Sequence, residues 1–201
     1  LAIENYFGPA ANGYYEIATT QNLKDLLGFA DNPSYSFRLV ADLDLSTIPG
    51  WHIPYFAAAV FDGSGHTLSN LKLAQTFQED AGLIGELRSG STITNLGLLD
   101  VDVRAYAETG GLVGSSYGTI SNSYVTGAVS GTAYAVGGLV GRNQPGGAIS
   151  GSYATAAVSG NTLVGGLVGD NYSSSTISNS YATGAVSGGT LVGGLVGKNS
   201  G

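Results

Sequence analysis

The sequence contains no cysteine and no methionine in 201 residues. Without cysteine there can be no disulfide, no thiol catalysis and no thiolate metal site. Charge is also scarce. Asp, Glu, Lys and Arg make up 10% of the chain, with seven basic against fourteen acidic residues and a formal net charge of −7. The basic residues are scattered from Lys24 to Lys198. They form no patch, so nucleic acid is not an expected partner. No run of about 18 apolar residues exists, so no membrane insertion is expected, and no signal-peptide pattern is present. Helical periodicity is missing from residue 81 onward.

What the chain has in abundance is glycine, with 33 residues, and a hydrophobic fraction of 43%. Low charge with that much apolar material argues for a packed core and against disorder. The glycines fall in a repeat. GGLVG occurs at 110–114, 137–141, 165–169 and 193–197, with a weaker AGLIG at 81–85. Its leucines, Leu83, Leu112, Leu139, Leu167 and Leu195, are spaced 29, 27, 28 and 28 residues apart. So regular a period means that each copy is one structural unit stacked on the last.

A second motif alternates with the first: SNSYVTGAVSG at 121–131, SGSYATAAVSG at 150–160 and SNSYATGAVSG at 178–188. Each unit holds about three runs rich in Val, Tyr, Thr, Leu and Ile, bounded by Gly, Ser or Asn, which read as strand and turn. The expected fold is all-β: a parallel β-solenoid with about 28 residues and three short strands per rung, and an N-terminal cap containing a short α-helix. With rungs ~4.8 Å apart, five or six of them make a rod of roughly 25–30 Å. The Leu column and Val129, Val158 and Val186 are expected inside. Asn95, Asn122 and Asn179 are expected to stack at a corner, with a break where Gly151 takes the slot. The glycines around each Leu are expected to permit tight bends.

Residues 1–80 differ. They hold four of the five prolines, the single Trp and nine of the fourteen acids. In 19–30, Leu23, Leu26, Leu27 and Ala30 follow i, i+3, i+4, i+7, one face of a helix capped by Thr19 or Thr20. Stretches 37–45, 57–61 and 66–73 read as further rung segments. A solenoid cannot leave its first rung open to water or to strand addition. The expected division is therefore a cap over 1–36, irregular first rungs over 37–80 and solenoid repeats over 81–201. The chain itself is expected to be a fragment of a longer one.

The GGLVG core followed by NSYATG resembles the GLUG motif. YYEIATTQNL (14–23), LVADLDLS (39–46) and FDGSGHTLSNL (61–71) are similar to the segment that often precedes such repeats. The resemblance covers roughly residues 14–201. It implies a secreted or surface-anchored bacterial protein, of the kind that includes adhesins and repeat regions of immunoglobulin A-cleaving metallopeptidases. It carries over no catalytic residue.

Candidate chemistry is thin. Asp62-Gly63-Ser64-Gly65-His66 contains the three triad residue types, but five consecutive residues cannot easily converge on one proton path, and Asp-Gly and Ser-Gly are turn signals. Asp42, Asp44 and Asp62 are the candidate metal ligands, with calcium as the oxygen-seeking cation they would hold. Between Gly110 and Gly201 the charges are Arg142, Asp170 and Lys198. All three follow a GGLVG, and are expected to form a surface ladder of little energetic weight. A lyase or hydrolase would need paired carboxylates on one face, so no catalysis is expected. The candidate ligand-binding residues are Tyr124, Tyr153, Tyr181, Thr126, Thr155 and Thr183, aligned columns suited to a sugar or protein surface if they face outward. Inward, the tyrosines would simply pack between rungs. The expected function is a non-catalytic stalk or interaction module at the cell surface, meeting a host or neighbouring-cell protein or glycan, with end-to-end or edge self-association as a further expectation. A spacer in a large secreted peptidase and a carbohydrate-binding module stand as alternatives.

Overall fold

The computed structural model describes residues 2–200. Nearly all of the chain is a parallel β-solenoid of about six turns, stepping about 28 residues per turn. One full turn runs Thr119–Ser121, Tyr124–Gly131, Tyr134–Gly137 and Val140–Asn143. Each strand pairs in parallel with its counterparts one turn away, building sheets of seven, nine, four and six strands. There are thus four sheets rather than the three strands per rung read from sequence. The pentapeptide is not one strand but the reversal between two: its first residues end a strand of the four-stranded sheet and its last begin one of the six-stranded sheet.

Identical residues lie above one another because the step is a whole turn. Ile93, Ile120, Ile149 and Ile177 form one column. Val103, Val129, Val158 and Val186 form a second. Both apolar residues of the pentapeptide point inward: Leu112, Leu139 and Leu167, and Val113, Val140 and Val168, are fully buried. Burying each such side chain contributes about 1.5–3 kcal/mol.

The pentapeptide glycines serve a different purpose from the bend expected of them. None has a positive φ. They permit close approach of backbones instead. A Cβ on Gly110 would lie 2.7 Å from the Leu139 carbonyl oxygen, and one on Gly141 would run into the Glu108 backbone. The left-handed bends fall on Asp80, Glu108, Ala135, Leu163 and Leu191, with φ from 44° to 57°. Apart from Asp80, these are residue types that adopt that region only at a cost. At the opposite corner the left-handed residues are Asn95, Asn122, Gly151 and Asn179, types that tolerate it.

Asn122 donates to Asn95 at 3.5 Å, and Asn95 to Asp62 at 3.1 Å. Gly151 interrupts the ladder, as expected. A second asparagine ladder runs inside the molecule: Asn143 donates to Asn171 at 2.9 Å, and Asn171 to Asn199 at 2.8 Å. Ser123, Ser152 and Ser180 form a third ladder, each hydroxyl accepting an amide from the preceding turn.

The N-terminal helix spans Thr20–Leu26, with the Thr19 side chain accepting the Asn22 amide at its N-cap. It is shorter than residues 19–30, and Leu27 lies outside its apolar face, 43% exposed. Leu23 and Leu26, with Phe29 and Ala30 from the following turn, are buried. A further helix, Glu4–Phe7, precedes it. Tyr15–Ile17 already pairs in parallel with Ser36–Leu39, so the seven-stranded sheet begins within the stretch assigned to the cap. The predicted strand 37–45 divides into Ser36–Leu39 and Leu43–Asp44, which belong to different sheets.

Candidate functional site

The tyrosine column forms along the nine-stranded sheet. Tyr124 pairs with Tyr153, and Tyr153 with Tyr181. The rings point outward and lie face to face, with centroids 4.9 and 5.0 Å apart and planes within 3°. Spacing and parallel planes follow directly from the strand separation. Gly97 occupies the same column one turn earlier, and the Tyr124 ring covers its backbone so closely that a Cβ would strike the ring. Burial and then the flanking rings raise the Tyr153 phenol above its ordinary value. Tyr153 has spent both faces on its neighbours and Tyr124 lies between Tyr153 and the Gly97 backbone, so the stack presents ring edges, hydroxyls and the outer face of Tyr181.

The threonines lie two residues along the chain. Thr126 accepts the Asp100 amide at 2.9 Å, while Thr155 and Thr183 are exposed. Beyond them the sheet carries Ala128, Ala157 and Ala185 beside Ser130, Ser159 and Ser187, which with Asp102 and Arg104 line a shallow groove of about 400 Å³.

Asp42, Asp44 and Asp62 are not gathered on one point. Asp42 accepts the Thr67 amide at 2.8 Å and meets His66 at 3.3 Å. Asp44 accepts from the Ser46 amide and Asn70, both at 2.9 Å. Asp62 accepts from the Ser64 amide and Asn95. Each carboxylate ties down its own turn. Backbone donation from Thr67 and from Ser46 holds Asp42 and Asp44 below the usual carboxylate range. Among the described residues no group of three His, Asp or Glu side chains is placed to hold a metal ion. The Ser64 and His66 pair belongs to these turns.

The charges after the pentapeptides depart most from expectation. Arg142, Asp170 and Lys198 do share a column, but the first two are not a surface ladder. Arg142 donates to Glu108 and lies 3.4 Å from Asp170, whose side chain is 3% exposed. The Tyr134 ring covers the guanidinium at 5.3 Å. Burial, and next the Asp80 carboxyl, push Glu108 up to about 7, against the opposing pull of Arg142. Sequence reasoning missed this cluster because Glu108 precedes the repeat's first pentapeptide, and only the coil brings it onto Arg142. It also missed the buried asparagines, although their signal was present: GRN, GDN and GKN each place Asn second after the pentapeptide.

Comparison with known proteins follows the same lines. Residues 105–130, 132–159 and 160–187 match the family described as "The GLUG motif", and these three stretches are GLUG-motif repeats. Over 145 residues, 65% of the chain, the sequence is 39% identical to Halomucin of Haloquadratum walsbyi (strain DSM 16790 / HBSQ001). That alignment covers 2% of Halomucin, so the chain spans only a small part of this relative's length. A crystal structure of a candidate immunoglobulin A1 protease from Bacteroides ovatus superposes with a TM-score of 0.66 at 21% identity, covering 90% of this chain and 70% of that one. At that identity the likeness is one of fold.

Proposed function

We propose that this chain, with its run of GLUG-motif repeats, is a non-catalytic β-solenoid module of a secreted or cell-surface protein, serving as a stalk or interaction face. The observation that carries this reading is where the repeat region puts its polar groups. Asn143 and Asn171 bond along one ladder and Ser123 and Ser152 along another, and Arg142 and Asp170 are committed to an internal ion cluster. What remains outside is a regular surface of tyrosine edges, threonine, alanine and serine. Such a surface suits contact with a protein or glycan over several rungs. The similarity to Halomucin and the fold shared with a candidate protease of an immunoglobulin both fit work outside the cell. Among the described residues no helix is long and apolar enough to cross a membrane.

The contact residues in this proposal are Tyr124, Tyr153 and Tyr181 with Thr126, Thr155 and Thr183. A glycan or host-protein array probed with the folded chain should give signal that a Tyr124→Ala, Tyr153→Ala, Tyr181→Ala variant loses. Equal signal from both would remove the tyrosine face from the proposal. Labelling of intact cells with antibody against residues 81–200 tests the location, and an exclusively cytoplasmic signal would overturn it. A second reading, a spacer within a secreted peptidase, draws on the shared fold over 90% of this chain. A peptidase domain in the same polypeptide, active without these repeats on a small peptide but not on its protein substrate, would favour it.

A further inference from the structure

The repeat region is most contorted where its charge is concentrated. Asp80, Glu108, Ala135, Leu163 and Leu191 occupy one column of left-handed bends. Gly114, Gly141, Gly169 and Gly197 press their backbones against the first four of these bends. The residues that follow those glycines are Ser115, Arg142, Asp170 and Lys198. Ala and Leu fill the three later bends. Only the two earliest carry carboxyls, and they occupy adjacent turns, tied by the Ala81 amide to the Glu108 carbonyl.

The Glu108 side chain is 9% exposed. Arg142 donates to it, and Asp80 holds the preceding position in the same column of bends, where its carboxyl helps to raise the Glu108 value. Gln144 donates to Ser115 at 2.9 Å. Arg142 is shared with Asp170. One oxygen each of Asp80 and Asp170 is buried with no hydrogen-bond partner. Tyr134 closes the site from outside, its hydroxyl donating to Glu79 at 3.3 Å. One guanidinium therefore serves two buried carboxyls, Glu108 and Asp170, with Asp80 half-buried beside Glu108 and Glu79 at the rim. Neighbouring carboxyls that share one cation cannot all ionise cheaply at low dielectric, and here the proton is kept by Glu108.

We propose that Asp80, Glu108, Arg142 and Asp170 form a proton-operated clasp that fastens the loop of residues 76–80 onto the first GLUG repeat, shut while Glu108 holds its proton and loosened when it ionises. The loop joins Lys72–Gln75 to Ile84–Leu87. Asp80 sits at its end, and it carries Phe77, 95% exposed. Its backbone ties are the Ala81 amide to Glu108 at 3.1 Å, the Gly110 amide to Ala81 at 2.8 Å and the Tyr106 amide to Gln78 at 3.3 Å. The two at Ala81 adjoin the carboxyl pair, so repulsion between Asp80 and Glu108 acts on them first. Raising the pH then frees the segment that presents Phe77.

The sign follows from linkage. Folded Glu108 keeps its proton to higher pH than the unfolded chain does, so its favourable contribution is complete below the ordinary glutamate range. That contribution is lost as pH rises from about 4.5 towards about 7. Carbon-detected NMR of the Glu108 carboxyl, with hydrogen exchange at pH 5 and pH 8 corrected for intrinsic rates, tests the clasp in the intact chain. The expected midpoint is near 7. Opening at Ala81 and Tyr106 should be about tenfold more frequent at pH 8, with amides of Ala148–Ser150 unchanged. Glu108→Gln should abolish that pH dependence, and Asp80→Asn should lower the midpoint. A wild-type midpoint near 4.5, exchange at Ala81 and Tyr106 that ignores pH, or a pH response retained in Glu108→Gln would each overturn the proposal.

Discussion

The two ends of the solenoid solve the same packing problem with different materials. Before residue 81 the core is aromatic and irregular. Phe7, Tyr15, Phe29, Tyr35 and Phe37 meet at centroid distances of 5.4 to 6.2 Å, mostly edge to face. Further on, the core is aliphatic and the aromatic rings lie outside in a parallel stack. The first rung has no preceding copy of itself to lean on. Large rings at varied angles fill an unrepeated shape and cover the opening strand of the seven-stranded sheet. Later rungs always have a copy below, so small identical residues suffice and each polar group finds its twin at ~4.8 Å. Repetition lets a chain with one Trp and few charges build a core from Val, Leu, Ile and Gly.

That contrast can be broken at either end. The largest expected loss is Phe37→Ala, about 3–5 kcal/mol, because Phe37 is fully buried and touches both Phe7 and Tyr15. If the cap nucleates the stack, urea unfolding should stay a single transition with a lower midpoint. Leu139→Ala, fully buried in the middle of the repeats, should cost about 2–5 kcal/mol. In a one-dimensional stack its loss falls on neighbouring rungs, so hydrogen exchange should rise around Val140–Asn143 before Tyr15–Ile17. Equal exchange at both places would show the stack to be one cooperative unit.

Asn171→Ala should cost about 1–3 kcal/mol by removing the acceptor that Asn143 and the buried Ser175 hydroxyl share, read as a lower melting temperature. Removing the helix cap with Thr19→Ala should cost about 0.5–2 kcal/mol. The pH response also separates the two regions. Asp42 and Asp44 are held below the usual range, so their contribution is present above about 4 and lost as pH falls through the folded value. Glu108 runs the other way. Acid should therefore loosen the turns around Asp42 and Asp44 while tightening the bend at Glu108, an opposition that site-resolved exchange between pH 3 and pH 8 would reveal or deny.

Much of the solenoid was legible because its period is written in the sequence. The 28-residue step placed Leu112, Leu139 and Leu167 in one column and Val129 and Val158 in another, and the gap at Gly151 fell where the Asn ladder stops. What the pattern hid was the job of each glycine. A repeated Gly reads as a bend, yet Gly110 and Gly141 have negative φ and make room for a facing backbone, while Leu163 and Leu191 take the bends. Nothing in a Leu announces that conformation; it is imposed by the arc around it. The candidate surface was legible as columns, but not the stacking that leaves only tyrosine edges available. Burial of Arg142 and Asp170 was invisible because it depends on Glu108 and Tyr134, which lie outside the repeated string. In the N-terminal part the helix start was readable from Thr19, whereas its early end and the placement of Leu27 depend on Phe29 and Ala30 folding back.

The rungs are joined by hydrogen bonds that all run along the axis of the rod. A pull between the two ends of such a rod loads those bonds one rung at a time, as in opening a zipper, instead of sharing the load across a sheared sheet. Each rung that gives way converts ~4.8 Å of rod into roughly 90–100 Å of extended chain, from about 28 residues. As a tether the molecule would then yield in even steps at modest force and shorten again when the load is removed. A single-molecule force trace should show a sawtooth with that spacing, and a single abrupt rupture would rule the behaviour out.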